Sequence, residues 1–539
     1  MKNNKLFIFF SLLAIPGLFS SCSEPELPLN EIEDNYRTIY QIFPYSYADS
    51  NGDGVGDLKG IIDKLDYISS LNYTGLWLTP IHQSDTYHKY DVDDYMSIDE
   101  KFGTLEDYDN LVKGCHDRKM TILMDLVINH SSDTNQWFKK CIAAHQRNQV
   151  DNQYYNYYNV QKFSGGNVPS GYAKYNNSLI YEARFWNEMP DLNLQNVLDE
   201  PDGYLAKDLK KIFRFWLIEH HVDGFRLDAV TSYFTGDNEK NKQFLTWLNT
   251  ACQSIKPGCY IVGEGDWTHN SGENRYYQES GVDSFFEFAN SGAGGYIDLI
   301  TNGDASCYKC ALEKNKNDAC GYNGKQGIPA VFVANHDTGH MIGCVKGRND
   351  VTNLKFAHGV QALMGGTTFT YYGDEVGLAV PPNTDGRDEN KRLPMPFGDS
   401  YTCRPVSGAS KYDEKDVNVY GTVKNQINDK DSVINYVKKA NLLRRQFPSL
   451  ARGDFQQMYV SDNDEFCAVI RRMQGETILV CINASRVKNG SYTFDFSNEI
   501  FDSFTELKTS LGVDGRKATW PNKNERKIVI PSKGIAILK

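Results

Sequence analysis

From residue 38 to about residue 450, short apolar runs alternate with longer amphipathic stretches. Eight runs have strand character: Thr38–Phe43, Gly75–Thr79, Thr121–Ile128, Gly224–Ala229, Tyr260–Gly263, Ser284–Phe288, Ala330–Ala334 and Thr367–Tyr372. Between them lie patterns of helical period, such as Leu58–Leu71, Leu105–Arg118, Tyr204–His220 and Val433–Phe447. Nearly continuous apolar strands separated by amphipathic helices predict a parallel sheet covered on its outer face. Eight β–α units are the count of a closed (β/α)8 TIM barrel. An open doubly wound sheet would instead place a glycine-rich phosphate turn after the first strand, and no GxGxxG stands there.

Two connections are too long for ordinary loops and predict excursions with a function. Residues 130–203, rich in Tyr, Asn and Gly, interrupt the barrel after its third strand as an inserted domain. Residues 375–431 follow the eighth strand. From residue 451 to 539 the pattern changes to short alternating runs, among them Glu465–Arg471, Thr477–Ile482, Ser491–Phe496 and Lys527–Ile530. These predict a C-terminal antiparallel β-sandwich domain. The barrel itself is then assigned to residues 36–129 and 204–450.

The chain opens with Lys2 and Lys5 ahead of an apolar run, Leu6–Phe19, too short for an ordinary membrane span. Phe19-Ser20-Ser21-Cys22 resembles a bacterial lipoprotein cleavage box. Residues 1–21 are therefore expected to be a signal peptide, Cys22 the lipidated first residue, and 22–35 a tether. The body would be exported and held at the outer membrane. A formal net charge of −12 without a basic stripe argues against nucleic acid as a partner. Of the 12 cysteines, those after Cys22 are odd in number, so at least one stays unpaired. Local disulfides are expected at Cys252 and Cys259, or within Cys307, Cys310 and Cys320, in preference to a zinc site. Cys467 and Cys481 sit in apolar runs and should pack as small hydrophobes.

Charge appears where buried strands should carry none. Arg226 and Asp228 share one face of the strand Gly-Phe-Arg-Leu-Asp-Ala. The third strand runs into Asn129 and His130, the fifth into Glu264, the seventh into His336 and Asp337. At the C-terminal rim of a barrel these converge. Like charges held so close push one carboxyl upward in pKa, and one charged beside one protonated carboxyl is the equipment for glycosidic cleavage.

Asp-Leu-Val-Ile-Asn-His, Gly-Phe-Arg-Leu-Asp-Ala-Val, Val-Gly-Glu and Val-Ala-Asn-His-Asp, with Met-Pro-Asp-Leu-Asn at 189–193, resemble the ordered signature regions of the α-amylase family of glycoside hydrolases. The likeness extends over nearly all of the mature sequence, towards the exported lipoprotein amylases of Bacteroidetes and the oligo-1,6-glucosidase and neopullulanase-like branch. The resemblance implies Asp228 as nucleophile, Glu264 as acid and base, and Asp337 as the carboxylate that grips the sugar in the transition state. Arg226 would orient Asp228, His130 and His336 would bind hydroxyls, and Tyr90 would stack under the sugar with His88 and Asp91 nearby. Arg392, in Arg-Leu-Pro-Met-Pro, partly matches an arginine that closes the non-reducing end. His340 stands where relatives carry arginine.

Asp49, Asn51, Asp53, Val55 and Asp57 alternate around a glycine turn, the way a loop wraps Ca²⁺, with Val55 offering its carbonyl. The resemblance to oligo-1,6-glucosidase-like loops supports the metal. Position 60 is Gly, so this is not an EF-hand. Asn129 could ligate a second Ca²⁺ or simply hydrogen-bond. The expected activity is retaining hydrolysis of α-1,4 links in starch-like glucans. An exo-acting α-glucosidase, a neopullulanase, a transglycosylase, or a starch-binding protein with a silent barrel are the alternatives.

Overall fold

The computed structural model describes residues 27–265, 275–288, 295–319, 326–382, 384–410 and 413–539. The leader, Cys22 and Cys320 lie outside the described residues. Three strands open the fold: β1 (Thr38–Ile42), β2 (Gly75–Leu78) and β3 (Thr121–Leu126). The insertion adds β4 (Val160–Lys162), β5 (Tyr172–Lys174) and β6 (Leu179–Glu182). The barrel resumes with β7 (Gly224–Leu227), β8 (Tyr260–Gly263), β9 (Ser284–Phe285), β10 (Ala330–Phe332) and β11 (Thr367–Tyr371).

The eight barrel strands are parallel, in the order β10-β11-β1-β2-β3-β7-β8-β9, and a parallel bridge from Phe286 to Ala330 joins the two ends. The expected TIM barrel is therefore present. Strand alternation sorts its side chains into two cores. Ile39, Trp77, Leu123, Val262, Phe332 and Phe369 fill the interior. Tyr40, Leu76, Ile122, Phe225 and Ile261 face the surrounding helices. Gly224 is required by close packing, because a Cβ there would stand 1.8 Å from the Tyr260 carbonyl oxygen on β8.

Two helices depart from their expected course. Leu58–Leu71 is broken at Lys64 (φ −102°, ψ 3°) into Leu58–Asp63 and Leu65–Ser70. The Lys64 ammonium reaches Asp399 at 2.7 Å and lies over the Tyr401 ring, tying the break to the excursion after β11. The helix from Tyr204 is regular to Arg214 and then widens into a π turn over Phe215–Glu219. There Trp216 is buried and donates to the Tyr95 carbonyl at 2.8 Å.

The insertion folds as a three-stranded sheet, β4-β6-β5; a bridge Tyr158–Leu192 closes it on itself, and a bridge His130–Asp191 ties its last part to the exit of β3. The C-terminal strands are β12 (Asp454–Val460), β13 (Phe466–Met473), β14 (Glu476–Asn483), β15 (Ser491–Asp495), β16 (Leu507–Gly512), β17 (Lys527–Pro531) and β18 (Gly534–Leu538). They form an antiparallel sheet β12-β13-β14-β18-β16 and a ribbon β15-β17. Along β13, Cys467 and Val469 face the barrel while Phe466 and Ala468 face a second core with Phe494 and Phe496.

The cysteine expectation is corrected. Cys252 is a buried thiol, so the Cys252–Cys259 disulfide is not formed, and Cys307 and Cys310 are thiols as well. Cys252 lies on the buried side of helix Asn238–Ile255, where it packs as a small apolar group. Cys307 and Cys310 belong to one helix, Ser306–Asp318, with Cys307 turned inward and Cys310 outward.

Candidate active site

Arg226 on β7 is the hub of the rim. Asp125 on β3 lies directly opposite it in the parallel register. One terminal nitrogen, Nη1, donates to Asp125 Oδ1 at 2.7 Å, to Asp125 Oδ2 at 2.9 Å and to Asp228 Oδ1 at 2.8 Å. The other, Nη2, lies 2.8 Å from Glu264 Oε2. Its guanidinium also sits over the rings of Trp77 and Tyr90, at 5.1 and 5.9 Å. A buried guanidinium needs carboxylates to offset its lost hydration. Three surround it, and two of these are Asp228 and Glu264.

Chain geometry holds the two carboxyls together. Glu264 follows β8, and its N–H donates to the Leu227 carbonyl while its own carbonyl accepts from Val230. Ala229, immediately after Asp228, takes the left-handed conformation (φ 46°) and donates its N–H to Glu264 Oε2 at 3.1 Å.

A second group adjoins this one. Asp337 sits in a turn where Asn335 Oδ1 accepts from the N–H groups of Asp337 and Thr338, both at 2.9 Å. Arg392, delivered by the excursion after β11, donates to Asp337 Oδ1 at 3.0 Å, Asp388 Oδ2 at 3.2 Å and the Tyr87 hydroxyl at 2.9 Å. His336 links the two groups. Its Nδ1 meets Gln41 Nε2 at 2.8 Å, its Nε2 meets the Tyr90 hydroxyl at 2.7 Å, and Tyr90 donates onward to Asp125 at 3.2 Å. Since the Gln41 amide nitrogen can only donate, Nδ1 accepts and Nε2 carries the hydrogen.

The remaining predicted residues are also at this rim. His130 is buried, with its backbone carbonyl held by the Tyr95 hydroxyl at 2.7 Å. Its Nε2 has no hydrogen-bond partner among the described residues. His88 Nδ1 accepts from the Tyr90 N–H at 3.1 Å, which leaves Nε2 directed away from the backbone. Asp91 is turned into its own loop, accepting from the hydroxyls of Ser84 and Thr86. His340 pairs with Asp374 at 3.2 Å and stacks on Tyr371, behind the turn that carries Asp337.

The electrostatics separate the carboxyls. Burial pushes Glu264 up to about 8; Arg226 opposes this, and the charges of Asp228 and Asp337 reinforce it. Burial also acts on Asp337, but His336 and the Arg392 guanidinium hold it below the usual carboxylate range. Burial lowers His336 to about 3 and His88 to about 4, so both imidazoles are neutral near pH 7. A proton-bearing carboxyl beside one that is charged suits acid-assisted displacement.

The acidic loop is wound on itself. Asp49 accepts from the N–H groups of Asn51, Gly52 and Gly54, and Asp57 from the N–H groups of Ser50 and Gly60 and the Ser50 hydroxyl. Asn51 accepts from Asp53 N–H, and Asp53 from Val55 N–H. A carboxylate offers about four lone-pair sites and the Asn51 amide oxygen two, so each of these side chains keeps at least one for a cation. Among the described residues, no three His, Cys, Asp or Glu side chains are gathered as metal ligands. Asn129 hydrogen-bonds Asp191 at 3.5 Å.

Several rim residues escaped the sequence reading. Asp125 is fully buried and accepts from Arg226, Tyr90 and Trp77. A carboxylate inside the otherwise apolar run Thr-Ile-Leu-Met-Asp-Leu was its signal. Gln41, Tyr87 and Asp388 carried none, because only the closed barrel brings them here.

A barrel rim with Glu264 raised and Asp337 lowered, and Arg226 bridging Asp125 and Asp228, defines a glycoside hydrolase of the α-amylase class. Residues 41–453 match the family described as alpha amylase, catalytic domain. The chain belongs to the α-amylase family of glycoside hydrolases. It is 34% identical over 482 residues to "Alpha-amylase 3" of Dictyoglomus thermophilum, covering 86% of this chain and 87% of that protein. It is 27% identical to an oligo-1,6-glucosidase of Bacillus cereus, covering 83% and 89% respectively. Among solved structures, Eubacterium rectale Amy13B superposes with a TM-score of 0.83 at 35% identity, covering 95% of this chain and 97% of that one.

Proposed function

We propose that the protein hydrolyses α-1,4-glucosidic bonds of starch, maltodextrins or related glucans, with retention, through a covalent glucosyl-enzyme. The observation that carries this is the single guanidinium of Arg226 holding both Asp228 and Glu264. Asp228 Oδ1 is engaged by Arg226, so Oδ2 is the attacking oxygen. It forms a bond to the anomeric carbon as the bond to the leaving oxygen breaks. Glu264 Oε2 accepts from both Arg226 and Ala229, so its proton sits on Oε1 and passes to the leaving oxygen. Water then attacks the anomeric carbon, returns a proton to Glu264 and releases Asp228. Two inversions give retention. Asp337, the half-buried ring of Tyr90, and the nitrogens of His130 and His88 suit the hydroxyls and ring of the reacting sugar, while His336, held by Gln41, positions the Tyr90 hydroxyl.

Proton NMR of the first product tests this: the α-anomer is expected, and initial β-anomer would overturn it. A second reading, an exo-acting α-glucosidase, is favoured by Arg392, which ties Asp337, Asp388 and Tyr87 together at one end of the rim. Glucose as the sole early product from maltoheptaose supports exo action; mixed oligosaccharides support endo action.

Ca²⁺ on the 49–57 loop belongs to the same reading. Asp49, Asn51, Asp53 and Asp57 with the Val55 carbonyl would hold it, and it would supply rigidity to the loop beneath the rim. The leader and Phe19-Ser20-Ser21-Cys22 support export and lipid anchoring at Cys22 in the outer membrane. Among the described residues no helix is long and apolar enough to cross a membrane. Palmitate labelling that Cys22→Ala abolishes is the expected outcome.

A further inference from the structure

His88 and Tyr90 stand midway along the loop that follows β2. Residues 83–94 of that loop leave and return side by side, closed at the base by the Gln83–Asp94 bridge and by the Asp93 N–H on the Gln83 carbonyl at 2.8 Å. At the other end the rings of His88 and Tyr90 stand 6.1 Å apart, with the Tyr90 N–H on His88 Nδ1. Lys89 lies between them in the chain and is directed elsewhere. Its backbone is left-handed (φ 64°), a conformation disfavoured for a residue with a Cβ. Its side chain enters the loop interior, where the residue is 1% exposed.

The ammonium has defined partners there. It donates to Asp99 Oδ2 at 2.6 Å and to the Ser84 carbonyl at 2.7 Å, and lies 5.6 Å from the centroid of the Phe102 ring. Asp99 is itself fixed at the loop base. Its N–H donates to the Ile81 carbonyl at 2.9 Å, its carbonyl accepts from the N–H groups of Phe102 and Gly103, and Oδ1 accepts from the Lys101 N–H at 3.0 Å. Both side chains are almost withdrawn from water, so each charge depends on the other to offset its lost hydration. A lysine directed outward would stay hydrated at no such cost. Instead a strained backbone and a buried ion pair are maintained directly behind His88 and Tyr90. From the front, His336 and Asp125 hold the Tyr90 hydroxyl; from behind, Lys89 ties the same stretch to the loop base.

We propose that Lys89 is a positioning residue, a strut that with Asp99 fixes His88 and Tyr90 against the reacting sugar. This rests on the reading of those two side chains as sugar contacts. The test follows kcat/KM on maltoheptaose and on α-glucosyl fluoride, which has no leaving-side sugar, at a temperature where every variant is folded. Lys89→Met keeps the stem and removes the charge. It is expected to lower the maltoheptaose value on the order of 10²-fold, the effect of a misplacement of about 1 Å. The fluoride value should fall as far, because the defect lies at the reacting sugar. Asp99→Asn, which keeps an acceptor for the ammonium, should give a smaller loss in the same direction. Lys533, buried in the C-terminal domain against Asp350, Thr352 and Asn353, provides the comparison. Lys533→Met should lower the melting temperature yet leave both rates within about 2-fold. In a protein already carrying His88→Ala and Tyr90→Ala, Lys89→Met should change fluoride release less than about 2-fold, since Lys89 then has nothing to position. An undiminished loss in that background, an equal loss in Lys533→Met, or unchanged rates in Lys89→Met would each overturn the strut. Full activity in the protein carrying His88→Ala and Tyr90→Ala would instead overturn the reading on which it rests.

Discussion

The backbone N–H of Ala229 donates to Glu264 Oε2 at 3.1 Å, so the residue next to one catalytic carboxyl fixes the orientation of the other. With Arg226 on the same oxygen, the free oxygen of Glu264 is the one that can carry a proton towards the substrate. The left-handed Ala229 is the conformation that makes this possible, at a cost of about 1 kcal/mol that the surrounding contacts offset.

Activity is expected to fall as pH rises through about 8. Glu264 acts as an acid only while protonated, and its folded value is raised to about 8. Above that value kcat/KM should drop about tenfold per pH unit. A profile flat to pH 10 would remove Glu264 from the acid role.

Asp228→Asn is expected to lower turnover on the order of 10³-fold or more while leaving glucan binding largely intact. The variant also removes a negative neighbour that raises Glu264, so the alkaline limb of any residual activity should move to lower pH. Reducing-sugar release and isothermal calorimetry with maltoheptaose read the two effects.

Asp125→Ala should destabilise the fold by about 3–5 kcal/mol, because it leaves the buried Arg226 without its fully buried counter-charge. A urea midpoint close to that of the unaltered protein would show that Asp228 and Glu264 suffice to hold Arg226.

Gly224→Ala should cost at least about 3 kcal/mol, since the new Cβ would meet the Tyr260 carbonyl at 1.8 Å and must push β7 from β8. Those strands carry Asp228 and Glu264 at their ends, so activity should fall further than stability. Unfolding curves and initial rates on one sample check both.

Chelation should lower the melting temperature, with Ca²⁺ restoring it; at a free ion concentration 100 times Kd the ion contributes about 2.7 kcal/mol. In Asp49→Ala that response should vanish. An unchanged melting temperature in EDTA would argue that the hydrogen bonds within the 49–57 loop suffice without metal.

The barrel was legible because each strand is a local signal, an apolar run bounded by turns. Asp228, Glu264 and Asp337 stood out by the same rule, as charges where such runs end. Asp388, Tyr87 and Gln41 obeyed no local rule; they reach the rim only by approach across the folded chain. The break at Lys64 was hidden for a related reason, since the groups that hold the Lys64 side chain lie more than 300 residues away. Cys252 and Cys259 misled because closeness in sequence says nothing of orientation: one lies on the buried side of a helix and the other immediately precedes β8.

β1 lies between β2 and β11, with Thr38 opposite Thr368. During synthesis the earliest barrel strand therefore waits, one edge bare, until some 330 further residues have emerged from the ribosome. Arg392 arrives later still. A nascent chain has no complete sugar-cutting centre until its eighth strand closes the seam, and such long-range closure is slow and exposed to aggregation. Assembly of this protein is thus timed by its last barrel strand, and helpers that shield unpaired strand edges would act during that interval.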